Sequence, residues 1–125
     1  MAFDFVLSEN NITVDLSVLQ DLVGDDITSI KPIIELFFTS MPTAIEKMKF
    51  YEDQQDWENL FKTAHSVKSS VSIIKVSGLY DTIVAIENNL TDKTNLESIK
   101  QAIAFIETNY LFAEKLLKKQ LQKIQ

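Results

Sequence analysis

Between Asp56 and Ile74 the apolar residues Trp57, Leu60, Ala64, Val67, Val71 and Ile74 fall at alternating steps of three and four, the repeat of a helix that buries one face. Three other stretches keep a similar rhythm. Ile27, Ile30, Ile33, Ile34, Phe37 and Phe38 carry the first; Leu79, Ile83, Ile86 and Leu90 the next; Leu96, Ile99, Ile103, Ile106, Tyr110, Ala113, Leu117 and Ile124 the last. Two Gly and two Pro in 125 residues leave little material for the tight turns of a β fold. The chain is therefore predicted to be all-α: an up-and-down antiparallel four-helix bundle with a short additional N-terminal helix, making one domain over residues 1–125.

The ends of these segments follow from local chemistry. Residues 1–13 alternate loosely at Phe3, Phe5 and Leu7 and read as an extended lead-in lying on the bundle. Asp15 suits the start of a short helix through Leu16, Leu19, Leu22 and Val23, stopped at Gly24. Asp25 and Asp26 can cap the next helix, in which Pro32 and Pro42 each delete a backbone donor, predicting a kink or short break near Pro42. Ser77 is placed to cap the third long segment, and Thr94 with Glu97 has the form of a capping box for the last.

Charge narrows the partners. A net charge of −6 argues against nucleic acid and against an anionic membrane, since phosphate backbones are bound through clustered positive charge. No apolar run approaches a membrane span, and the N-terminus lacks a basic leader, so a cytoplasmic and complete protein is expected. Every basic residue is Lys, so any phosphate must be met by ammonium, hydroxyl or backbone groups. The lysines near the end, Lys115, Lys118, Lys119 and Lys123, suit a helix C-terminus better than a nucleic-acid tail. With no Cys and a single His, a resident metal is not expected; nor is an ATP site, because no Gly-rich phosphate loop is present.

That single histidine, His65, lies about 130° from the centre of the Trp57–Ile74 apolar row on a helical projection and should face solvent. Phe61 and Ser69 flank it one turn to either side, with Lys62, Lys68, Ser72 and Ile73 nearby. No Asp or Glu occurs between Asn59 and Tyr80, whereas Lys62, Lys68 and Lys75 all do, which predicts a local positive island in an acidic chain. By frequency an exposed helical histidine is an ordinary surface residue. Apolar Phe61 and Ile73 on the same side argue instead for docking, and lysines with hydroxyls at Ser69 and Ser72 suit a phosphoryl group carried on imidazole.

The run Ala64-His65-Ser66-Val67-Lys68-Ser69-Ser70, followed by Leu79 and later Glu87, resembles the signature of histidine-containing phosphotransfer (HPt) domains. The Asp15–Leu19 helix, the Asp25/Asp26 start, Glu35-Leu36-Phe37 before Pro42, and Asp56-Trp57 fit the same pattern. The resemblance implies that His65 is phosphorylated and that Lys68 helps to hold the phosphoryl group. It implies as partners the receiver domains of response regulators and a hybrid sensor histidine kinase, with Mg²⁺ held by the receiver and none by this chain. The protein would then be a monomeric phospho-carrier in a two-component phosphorelay, not an enzyme.

Two residues depart from the family pattern. Ser69 stands where the family has Gly four residues after the His, and Lys75 stands at the Gly ten residues after it. A left-handed Lys75 costs about 1 kcal/mol, so the helix is predicted to run past Lys75 toward Gly78. The rival reading is a non-phosphorylated helical adaptor using the Phe61, His65 and Ile73 face. Further docking residues are sought in the Phe37–Met41 segment.

Overall fold

The computed structural model describes residues 3–123; Met1 and Ala2 of the lead-in, and Ile124 of the last apolar row, lie outside the described residues. The chain runs β1 (Val6–Glu9), β2 (Ile12–Asp15), α1 (Ser17–Val23), α2 (Ile27–Asp53), α3 (Trp57–Ile73), β3 (Lys75–Val76), α4 (Leu79–Asp92), a 3₁₀ turn (Leu96–Ser98) and α5 (Ile99–Gln122). The helical class holds, with a correction: a small antiparallel sheet, ordered β1-β2-β3, joins the helices. Helix α2 packs on α3 and α5, and α4 packs on the same two. Their inward rows form one apolar core around Ile34, Met41, Met48, Leu60, Val71, Ile83, Ile106 and Tyr110.

The lead-in is a hairpin. Asn10 and Asn11 both take positive φ, 52° and 67°, the conformation that two-residue hairpin turns require and that Asn tolerates. Asp15 does meet the start of α1: its Oδ1 accepts the Ser17 N–H at 2.9 Å. Leu19 is buried, but Leu22 of the same predicted row is exposed.

Helix α2 continues through both prolines, contrary to the break predicted at Pro42. Pro32 strands the carbonyl of Thr28, an exposed residue in the first turn whose backbone water can reach. Pro42 strands the carbonyl of Phe38, which accepts instead from the Tyr110 hydroxyl of α5 at 3.4 Å. Side chains of α3 and α5 pack along the helix and hold its course.

Helix α3 ends at Ile73, so the predicted continuation past Lys75 is wrong. Ile74 adopts φ −98° and ψ 96°, and Lys75 and Val76 pair as β3 with Asp15 and Val14 of β2. The chain leaves the helix by extended pairing, which needs neither glycine nor a left-handed residue. Ser77 does not cap α4; its Oγ accepts the Thr13 N–H at 2.7 Å, and Gly78 is the N-cap with φ 77°. The Thr94/Glu97 box is not formed either, because Asn95 turns left-handed and a 3₁₀ turn leads into α5.

Gly78 is the position where glycine is required. A Cβ there would lie 2.8 Å from the Phe105 ring and would carry a left-handed φ. Gly78→Ala is expected to destabilise the fold by about 1–2 kcal/mol from backbone strain, with more from displacing Phe105, read as a lower urea midpoint at unchanged slope.

Candidate functional site

Position 65 is set by the Asp56 cap, whose Oδ1 accepts the Asn59 N–H at 3.3 Å, and by Leu60, Ala64, Val67 and Val71, which anchor α3 in the core. With that face inward, His65 points outward and its side chain is 62% exposed. Its ring lies nearly parallel to Phe61, 8° between planes and 5.9 Å between centroids. Among the described residues only one nitrogen is engaged. Nδ1 stands 2.7 Å from Oε2 of Glu87, a residue of α4.

Glu87 is the residue that sequence reasoning left out of the site. Its side chain is 8% exposed, and its second oxygen, Oε1, lies 3.0 Å from Nζ of Lys68. Burial alone would push this carboxyl up; the hydrogen bonds from His65 and Lys68, with the Lys68 charge, outweigh that and hold it below its ordinary value. An ionised carboxylate accepts only, so the Nδ1 contact is an N–H donating to it. In the neutral ring this sets the tautomer, with the lone pair on Nε2, on the exposed side.

The lowered carboxyl has a consequence for stability. Its unfolded value lies above its folded one, so the stabilisation it contributes is present above the ordinary carboxylate range and is lost as pH falls through the folded value. In chemical denaturation at a series of pH values, wild type should lose stability relative to Glu87→Gln as the solution is acidified below that range.

The other predicted site residues are distributed unevenly. Lys68 reaches the site through Glu87, whereas Lys62 Nζ pairs with Glu58 at 3.3 Å. The positive island is thus not a free one: acids outside the Asn59–Tyr80 window, one on α4, meet two of its three lysines. Ser69 is exposed one turn beyond His65. Ser72 stands about 10 Å further along the helix axis than His65, and its hydroxyl donates to the Ser69 carbonyl at 2.6 Å. Phe61 is half-buried beside Trp57, Leu90 and Thr91, while Ile73 is half-buried in an apolar groove with Ile33, Leu36 and Phe37. In the Phe37–Met41 segment Phe37 and Met41 belong to the core; the large apolar side chain offered to solvent lies just before it, Leu36, 65% exposed.

Among the described residues no group of three His, Cys, Asp or Glu is placed to hold a metal ion, and no helix is long and apolar enough to cross a membrane. What the arrangement can do is present one nucleophilic imidazole nitrogen, with its opposite proton held by a buried anion. A mostly helical fold bearing such a histidine on an exposed helix face defines a histidine-presenting helical domain. A family model described as Hpt domain matches residues 32–125, and the chain belongs to that family, which places it in two-component phosphotransfer. No curated protein and no solved structure matches the chain.

Proposed function

We propose that this chain is a phospho-carrier that relays a phosphoryl group between receiver-domain aspartates, with His65 as the residue that carries it. The observation behind this reading is the Lys68–Glu87–His65 network, which leaves Nε2 as the free nucleophile. A docking surface alone would have no use for a buried carboxylate holding one imidazole proton. The packing of α2 to α5, joined by short connections, supports the up-and-down antiparallel four-helix reading within which this face is presented.

In the forward step the Nε2 lone pair attacks the phosphorus of a receiver's aspartyl phosphate. The N–P bond forms as the P–O bond to the aspartate breaks, and the aspartate carboxylate leaves with the electron pair. Nδ1 keeps its proton, so the phosphorylated ring carries positive charge, which the Glu87 carboxylate stabilises. Lys68 sits one turn from His65, where its ammonium can also serve the phosphoryl oxygens. The reverse step returns the group to the next receiver. Mg²⁺ belongs to the receivers, phosphate originates with a hybrid sensor kinase, and the carrier acts as a cytoplasmic monomer that binds no ATP.

The test is to mix the chain with receiver domains already charged at their aspartates and to look for acid-labile, alkali-stable phosphate on wild type and on His65→Gln. Label on wild type alone supports the carrier. Receiver binding without label on wild type would contradict it and favour an adaptor that docks through Phe61, His65 and Ile73.

A further inference from the structure

The described residues before position 32 stand outside the matched family segment, yet they are built into the core: Val14, Leu16 and Leu19 are buried. They pack on α2 and α5, and their strand pairing with the rest of the chain falls on one place, the connection from Ile74 to Gly78. Val14 and Asp15 pair with Val76 and Lys75. The Thr13 N–H donates to Ser77 Oγ at 2.7 Å, and the Ser77 N–H donates back to the Thr13 carbonyl at 2.9 Å. On the other side, Asn109 of α5 donates from Nδ2 to the Ser77 carbonyl at 2.9 Å, and the Phe105 ring closes over Gly78.

This connection joins the helix that bears His65 to the helix that bears Glu87. His65 lies nine residues before Ile74, and Glu87 lies nine residues after Gly78. Each is thus about 13 Å from the connection along its helix, and a change of about 5° in the angle between α3 and α4 there moves one against the other by about 1 Å. Along the line of the bond, such a shift takes the 2.7 Å contact to about 3.7 Å, outside hydrogen-bond range.

We infer that strand β2 is a brace on the α3–α4 connection that holds His65 against Glu87, with Thr13 and Ser77 as positioning residues for the phosphorylation site. The brace also accounts for Lys75, which serves as a strand residue facing Asp15 where the family pattern has glycine. The effect on phosphorylation rate rests on the carrier reading; the effect on the imidazole does not.

The experiment uses the full chain labelled with ¹⁵N-histidine, as wild type, Ser77→Ala, Thr13→Pro and Ser77→Thr, the last keeping the hydroxyl. Three quantities are read: hydrogen exchange at the Ser77 amide, the ¹⁵N shifts that report the His65 tautomer, and the rate of phosphorylation by phosphoramidate. Ser77→Ala and Thr13→Pro should retain helical circular dichroism, exchange the Ser77 amide faster and lose the fixed Nδ1–H tautomer. Their phosphorylation should slow by about fivefold, the change that one hydrogen bond of ordinary net strength represents. Ser77→Thr should restore all three. Faster exchange with unchanged His65 shifts would overturn the brace, as would unchanged exchange in both variants. A wild type that takes no phosphate while its tautomer still follows the brace would count against the carrier alone.

Discussion

Glu87→Ala should slow phosphorylation of His65 by about 10- to 100-fold while the chain stays folded, by analogy with the cost of removing the carboxylate that orients a metal-bound imidazole. The loss has two parts. Without the carboxylate nothing in the site keeps the proton on Nδ1, so a smaller share of imidazole offers Nε2 as a nucleophile; and the positive charge that develops on the ring loses its counter-ion. Phe61 still stacks on the ring, and Lys68, a third exposed, can extend into water once its partner is gone, so the fold tolerates the change. Glu87→Gln retains an oxygen that can accept from Nδ1 but not the charge, and its rate should fall between the two. Pseudo-first-order rates with a charged receiver or with phosphoramidate measure this directly. Equal rates in wild type and Glu87→Ala would show that the buried carboxylate has only a structural role.

Tyr110→Ala should cost about 3–5 kcal/mol of stability, the range for emptying a buried aromatic site, whereas Tyr110→Phe should cost about 1 kcal/mol or less. Tyr110 is 1% exposed and packs against Phe37 at 5.5 Å between ring centroids, so its ring carries most of its contribution. Burial, with the charge of nearby Glu114, holds its hydroxyl protonated well above the ordinary phenol range and hence available as a donor. That donor meets the Phe38 carbonyl left unpaired by Pro42. Pro42→Ala restores a backbone partner for the same carbonyl, so the cost of Tyr110→Phe should shrink in a Pro42→Ala background. Denaturant titrations of the four proteins give the coupling; strictly additive costs would show that the hydroxyl does not compensate for the proline.

The outward position of His65 was legible because it depends on one helix and its periodicity alone, and the inward row of α3 fixes the opposite face. Glu87 was visible as an acid in the segment whose apolar residues turn inward, next to Ile86 and between Ile83 and Leu90. Its role was not, since the contact spans 22 residues and depends on how α3 and α4 are set against each other. The Asn10-Asn11 pair between alternating stretches was a hairpin signal of local origin, and reading Met1–Thr13 as a plain lead-in passed over it. No local pattern announces β3, two residues whose only strand partner lies some sixty positions earlier. For Lys75 in place of glycine, helix chemistry alone offers a left-handed stop or a longer helix. A distant strand supplied a third ending, and with it the placement of Ser77, Gly78 and the start of α4.

On the carrier proposal, Glu87 holds the proton on Nδ1 and leaves Nε2 of His65 to take the phosphoryl group. This is tested most directly by phosphorylating ¹⁵N-histidine-labelled chain with phosphoramidate, which needs no partner, and recording which ring nitrogen couples to ³¹P. Coupling to Nε2, with the Nδ1 proton still observed in its hydrogen bond and with both signals absent from His65→Gln, is the predicted result. Coupling to Nδ1, or a folded protein that takes no phosphate on His65, would contradict it.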